Sequence, residues 1–203
     1  IGNGSRTSSQ GIDFIIERLK VQKDRQRHIL VQELPHSPES FIHLDMVFTM
    51  LDRNCCMVFE PLMLRPSKYQ TIHIQIENGR VTRIREEKSL IDALGCLGMD
   101  LTPVCCGGET DLWVQEREQW HSGANFFALA PGQVVGYGRN VHTMEEMNKN
   151  GFAIIPADEI INGQKELENL GRCAIALDGS ELPRGGGGAR CMTMPLCRKP
   201  VAW

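Results

Sequence analysis

The sequence predicts a fold of the α/β class, or its near neighbour α+β, and three observations carry that prediction. Short β-rich runs, several paired as hairpins, alternate with single helical segments in a ββαβ-like rhythm. Apolar positions change from a period of two in the strands to helical spacing in the helices. No low-complexity tract and no Ser/Pro-rich linker interrupts the 203 residues. The chain therefore reads as one region, 1–203, without an internal boundary.

The elements follow in order. Ser5 to Lys20 is predicted helical, with Ser5, Thr7 and Ser8 as candidate N-caps and Ile12, Ile15, Ile16 and Leu19 at helical spacing. Arg27 to Glu33 carries Ile29-Leu30-Val31 and reads as a strand, after which Pro35 and Pro38 bracket a loop. Two strands are expected at Leu44–Leu51 and Cys55–Phe59, turning at Asp52-Arg53-Asn54. The clearest hairpin is Thr71–Glu77, strictly alternating, returning over Arg80–Arg85 through Asn78-Gly79, a pair suited to a type I′ turn. Ser89–Leu97 reads as a helix and Leu101–Cys106 as a buried strand. Trp113–Asn125 is rich in charge and reads as an ion-paired loop. Ala124–Ala130 and Gln133–Tyr137 form a hairpin around Pro131-Gly132, and a helix from Thr143 to Asn150 stops at Gly151. Phe152–Ile155 and Cys173–Leu177 are strands flanking a charged, helical stretch, and 157–171 looks like an insertion.

Composition narrows the function. The formal charge is −3, with the positive residues scattered, so no basic patch for nucleic acid stands out. Arg80, Arg83, Arg85 and Lys88 are interleaved with Glu86 and Glu87, which reads as a solvated face. No apolar run reaches the roughly 20 residues of a membrane span. There are 8 cysteines but no Cys-x-x-Cys, so the ligand spacing of a structural zinc site is missing. Most of these thiols are expected to be buried and reduced, in a cytoplasmic protein. The chain opens at Ile1 with neither an initiator Met nor a signal-like segment, and is expected to be a piece of a longer protein.

Two segments carry candidate chemistry. In Phe41–Met50, an extended strand would put Leu44, Met46, Phe48 and Met50 on one face. His43 and Asp45 would then share the other face, a titratable base beside a carboxylate. Taken alone, the pair fits a strand start bonded to loops equally well. In Leu182–Pro195, four consecutive glycines (Gly185 to Gly188) precede Ala189-Arg190-Cys191. A phosphate loop would need Lys-Ser/Thr after the glycines, and a dinucleotide loop a glycine at Arg190; neither is met. A cysteine beside an arginine remains, and a cationic neighbour lowers a thiol pKa from about 8.5. A flexible glycine loop beside a buried thiol fits the same residues.

Together these segments resemble the arginine deiminases, in the guanidine-modifying superfamily with the five-bladed α/β propeller (pentein) fold. The resemblance runs through Ile1–Ser8, His43-Leu44-Asp45 with Val47-Phe48-Thr49, and Arg117–Trp120 with Gly123-Ala124-Asn125. It continues in Tyr137-x-Arg139-Asn140 and in Gly179–Leu182 leading to Arg190-Cys191-Met192. It implies a partial propeller, roughly half the blades, and a hydrolase acting on linear amidines. The implied reaction converts L-arginine and water to citrulline and ammonia through a covalent thiouronium, with no metal and no cofactor. Cys191 is the implied nucleophile, His43 the acid and base, and Asp45 the group gripping the guanidinium. Arg6, Arg184, Gly185 and Gly186 complete the implied substrate contacts. The family draws further acidic residues from an N-terminal half, so the piece alone is expected to be inactive, with that half or another copy as its partner. The family loop usually carries a second arginine where Gly186 stands, which helps bind the α-carboxylate; agmatine thus competes with arginine as the implied substrate. The resemblance also leaves room for an amidinotransferase, which passes the amidino group to an amine, and for a non-catalytic binding protein on the same fold.

Overall fold

The computed structural model describes residues 1–23, 25–198 and 200. In chain order the elements are β1 (Gly2–Asn3), α1 (Ser9–Lys20), β2 (Arg27–Glu33), β3 (Phe48–Asp52), β4 (Cys55–Val58), α2 (Glu60–Met63), β5 (Thr71–Glu77) and β6 (Arg80–Glu87). Then come α3 (Leu90–Cys96), β7 (Thr102–Cys105), α4 (Leu112–Trp120), β8 (Phe127–Ala130), β9 (Gln133–Tyr137), α5 (Val141–Lys149), β10 (Ala153–Pro156), α6 (Ala157–Ile161) and β11 (Cys173–Leu177). Three sheets and six helices among the described residues make this a mixed α/β protein. The chain divides into two compact units, Ile1–Leu44 with Leu62–Asp100, and Asp45–Pro61 with the residues from Leu101 onward.

The first unit is built on the sheet β1-β2-β5-β6, parallel between β1 and β2 and antiparallel elsewhere. Helix α1 begins where Ser8 Oγ accepts the Gly11 N–H at 3.3 Å, the N-cap bond expected of serine. Its Ile12 and Ile16 pack with Ile29 and Val31 of β2 and Ile74 and Ile76 of β5, one apolar cluster removed from water. The β5/β6 hairpin turns at Asn78 and Gly79, both at positive φ, as the type I′ turn requires.

One polar cluster departs from the solvated surface expected along β6. His73, only 4% exposed, hydrogen-bonds through Nδ1 to Glu87 Oε1 at 2.8 Å and through Nε2 to Nδ1 of the exposed His28 at 2.8 Å. Arg85 Nε pairs with the same Glu87 oxygen. Burial raises the Glu87 carboxyl, but bonds from His73 and Arg85 outweigh it and hold the group below its ordinary 4.5. His28 lies below its ordinary 6.5, through burial first and then repulsion from His73, with Arg85 also lowering it and Glu77 opposing.

The second unit holds two sheets. In one, β4 lies between antiparallel β3 and parallel β7. In the other, ordered β10-β11-β9-β8, the β8/β9 hairpin leads through α5 to β10, and β11 returns to fill the place between β9 and β10. Leu51, Met57, Phe126, Met147 and Phe152 fill the core between these elements. Gly136 is required by packing there, since a Cβ would lie 2.5 Å from the Phe126 ring.

Two sequence expectations are corrected in this unit. Leu44–Met46 is a 3-10 turn, and strand β3 starts only at Phe48. Within β3 the buried residues are Thr49 and Leu51, not Phe48 and Met50, because Thr49 Oγ1 donates to the Ala124 carbonyl at 2.7 Å and so belongs inside. Trp113–Asn125 is not a loop: Leu112–Trp120 is helix α4, capped by Asp111 Oδ1, which accepts the Trp113 and Val114 N–H groups. Its inward face is polar, with Gln115, Glu118 and Gln119 all 1–2% exposed. Glu118 accepts from the N–H groups of His142 (3.1 Å) and Thr143 (2.8 Å) and from Thr143 Oγ1 (2.7 Å), so its carboxylate closes the N-terminus of α5.

Two outcomes follow. Glu118→Ala leaves the α5 N–H groups without their acceptor and is expected to cost about 3 kcal/mol in urea unfolding; a loss below about 0.5 kcal/mol would remove this role. In the first unit, depressed His28 and Glu87 both mean that the unfolded chain binds more protons. Stability is expected to fall as pH drops below 6.5, and further below 4.5, as read by thermal unfolding. In Glu87→Gln the lower step should flatten.

Candidate functional site

Cys191 sits in the second unit on a tight turn after the 3-10 segment Leu182–Gly185. Met192 N–H donates to the Gly188 carbonyl at 3.1 Å, and Thr193 Oγ1 donates to the Ala189 carbonyl at 3.0 Å, closing the turn. The glycine run has specific work here. Gly187 has φ +86 and a Cβ on it would lie 2.9 Å from Cys191 Cβ; a Cβ on Gly188 would lie 2.6 Å from Asn125 Cβ and Oδ1. Tyr137, at the end of β9, donates its hydroxyl to the Gly187 carbonyl at 3.3 Å.

Asp45 faces this turn. Its Oδ2 pairs with Arg190 Nε at 3.2 Å, while Oδ1 is buried with no hydrogen-bond partner among the described residues. The Cys191 sulfur and an Asp45 carboxylate oxygen lie within 4.8 Å of each other. A depression of about 190 Å³ opens here, lined by Asp45, Phe127, Ala128, Arg190, Thr193 and Arg198.

The electrostatics differ from the sequence expectation. Cys191 is exposed as a residue, yet its thiol lies above the ordinary 9.0: partial enclosure of the sulfur is the largest cause, and the Asp45 charge adds to it. Hydrogen bonds from Gly188 and Asn125 and the Arg190 charge pull the other way without prevailing. Arg190, whose guanidinium is engaged with Asp45, is the weakest of these. The remaining thiols differ sharply. Burial pushes Cys56, Cys105 and Cys106 up to about 12, and Cys55 and Cys173 are raised in the same direction. All eight are free.

The structure thus brings together Asp45, Arg190 and Cys191. Arg184, Gly185 and Gly186 lie on the same loop but are exposed, with Arg184 Nε on Glu181 at 3.0 Å; such a pair contributes little. His43 is exposed and stands in the first unit, two residues before Asp45; Arg6, also exposed, precedes α1 in that unit. Asn125 was not singled out from the sequence as a site residue. Its Oδ1 accepts the N–H groups of Arg190 and Cys191, both at 3.1 Å, and its Nδ2 donates to the Asp45 carbonyl at 3.1 Å.

A thiol on a glycine-built turn facing a carboxylate, on an α/β scaffold, defines a candidate cysteine-based site. Comparison with known proteins makes this specific. The family profile described as arginine deiminase matches residues 1–198. The arginine deiminase of Listeria innocua serovar 6a is 35% identical over 202 residues, covering 98% of this chain and 43% of that protein. That of Bacillus cereus strain B4264 is 34% identical over 206 residues, covering 99% and 44%. That of Bacillus cytotoxicus is 33% identical over 206 residues, again covering 99% and 44%. The chain belongs to the arginine deiminase family, and it spans less than half the length of these curated relatives. No helix among the described residues is long and apolar enough to cross a membrane.

Labelling with iodoacetamide is expected to modify Cys96, Cys191 and Cys197, the exposed thiols, and to spare Cys55, Cys56, Cys105, Cys106 and Cys173 in the folded protein. Asp45→Asn removes a charge that raises the Cys191 thiol, so peptide mapping should show faster labelling of Cys191 at a given pH. Slower labelling in that variant would contradict this electrostatic account.

Proposed function

We propose that this chain is the cysteine-bearing part of an arginine deiminase, a hydrolase that cleaves a C–N bond of a guanidinium. The observation that carries the reading is Asp45: one carboxylate oxygen is buried without a partner among the described residues, and the carboxylate lies within 4.8 Å of the Cys191 sulfur. A guanidinium is planar, cationic and rich in N–H donors, which is what such an acceptor suits. A buried acceptor left unmatched costs about 1–3 kcal/mol, so a donor arriving there is favoured.

In the proposed reaction the Cys191 thiolate attacks the guanidinium carbon, forming a C–S bond. His43 protonates the departing nitrogen, which leaves as ammonia, and the thiouronium remains on sulfur. His43 then takes a proton from water; the hydroxide adds to the same carbon, the C–S bond breaks with its electron pair going to sulfur, and the hydroxyl proton passes to water as the carbonyl forms. Citrulline and the thiolate are released when the substrate is L-arginine. No cofactor enters this scheme. Arg6 and Arg184 are the proposed partners of the substrate carboxylate, with the backbone of Gly185 and Gly186 along the substrate. Position 186 favours a second substrate, agmatine: Gly186 has φ +82, a conformation an arginine adopts only with strain, so no arginine side chain is offered there. Agmatine has no carboxylate to be held.

The same reading places the chain in a partial five-bladed propeller of a cytoplasmic enzyme, as a single catalytic region. The N-terminal portion that the relatives carry is its partner, and the isolated chain is inactive.

The test measures ammonia and ureido product from L-arginine and from agmatine, for the chain alone and for the chain joined to that N-terminal portion. Turnover by the joined protein that disappears in Cys191→Ala is expected. Turnover of agmatine alone would assign the substrate through Gly186. Turnover that survives Cys191→Ala would sink the reading, and turnover by the isolated chain would remove the claim that it is inactive.

A further inference from the structure

We infer that Asn125 is a positioning residue for the Cys191 thiol, holding the nucleophile turn and the Asp45 backbone in one register through a single buried amide. The inference rests on the reading of Cys191 as the nucleophile. Asn125 is 1% exposed and lies between α4 and β8, on neither the glycine loop nor the Asp45 segment. Its Oδ1 accepts two backbone N–H groups, those of Arg190 and Cys191, and its Nδ2 donates a hydrogen bond to the Asp45 carbonyl. These partners settle which end of the amide is which: two N–H donors need an oxygen, and a carbonyl needs an N–H. The packing is equally tight, since Gly188 passes so close that a Cβ there would lie 2.6 Å from the asparagine.

The side chain meets four demands that other residues do not combine. It needs an acceptor for two donors, a donor for the Asp45 carbonyl, no charge near the sulfur, and a length that fits beneath Gly188. Aspartate has the shape and the acceptor but lacks the donor and adds a negative charge. Alanine and serine are too short to span the two segments. Glutamine is one methylene too long for a space already closed by Gly188. Asn125 is also one of the groups that pull the thiol down, toward the thiolate, against the enclosure that raises it. One amide thus fixes where the sulfur stands relative to Asp45 and supports its charged form.

The test is the pH profile of Cys191 alkylation by iodoacetamide, in the full chain with Cys96→Ser and Cys197→Ser so that one exposed thiol titrates. It is run for Asn125, Asn125→Ala and Asn125→Asp, with thermal unfolding alongside. In Asn125→Ala the midpoint is expected to rise by about one pH unit, so alkylation below it slows about tenfold. Asn125→Asp, nearly the same shape, should shift it further in the same direction because it adds charge. If folded Asn125→Ala keeps the original midpoint, the side chain only packs and the inference is overturned. Unfolding of both variants would assign Asn125 to the fold and overturn it equally. The profile reads the thiol directly and does not depend on turnover. A shifted profile, together with no deiminase turnover from the chain joined to the N-terminal portion, would therefore remove the proposed reaction and leave the role of Asn125 standing.

Discussion

The second unit depends on the buried polar edge of helix α4. Gln115, Glu118 and Gln119 each tie a different segment to the helix. Gln115 Nε2 donates to Glu60 Oε2 at 2.8 Å and to the Gly108 carbonyl at 2.6 Å. Glu118 closes the start of α5, and Gln119 Nε2 donates to the Met46 carbonyl at 3.2 Å, one residue past Asp45. Buried polar groups are costly unless matched; although Gln115 Oε1 has no partner among the described residues, these bonds favour this arrangement because shifting a segment would break them. A purely apolar helix face would bind these segments as strongly but would tolerate sliding. The polar edge fixes Asp45 to within the precision of a hydrogen bond.

That precision is passed to the thiol through backbone contacts. The segment following α4 carries Asn125, which reaches both Asp45 and the turn holding Cys191. The glycines at 187 and 188 let the turn approach closely enough for those bonds to form. Order in the glycine run, which would otherwise lose the most conformational entropy of any residue type, is therefore bound to its contacts with Asn125 and Tyr137. Flexibility in sequence and rigidity in place are compatible here because the neighbours supply the constraint.

The sequence made much of this legible. Helix α1, strand β2 and the β5/β6 hairpin were readable because each carries a regular period and a specific cap or turn, such as Ser8 or Asn78-Gly79. Helix α4 was not, because its charge suggested solvent. Yet Gln115, Glu118 and Gln119 stand at the i, i+3, i+4 spacing of one helical face behind an Asp111 cap, and that stripe was the signal. The region before β3 misled for the opposite reason: its apolar alternation fits a strand, but Leu44–Met46 makes a 3-10 turn before the strand begins. Cys191 and Asp45 stood out in the sequence by residue type and by the family resemblance. Asn125 was unreadable as part of the site, since its partners are backbone groups and backbone leaves no mark in residue identity.

The pairing of Arg190 with Asp45 completes the electrostatic picture. A cation next to a cysteine suggests a depressed thiol, but a charge acts according to what it already faces. Here the Arg190 guanidinium rests on Asp45 Oδ2, so the sulfur sees the carboxylate and the cation together, and enclosure decides the direction. The Arg190 side chain is half exposed, so the pair is screened and worth about 1 kcal/mol or less. In the proposed reaction a substrate guanidinium brings its own positive charge to the same carboxylate, beside the sulfur and away from bulk water. That charge would add to the small lowering from Arg190, bringing the thiol down further only when substrate is bound. A thiol raised in the free protein is in this light consistent with nucleophilic work: the sulfur reacts slowly until the cation it is to attack supplies the field that favours its ionised form.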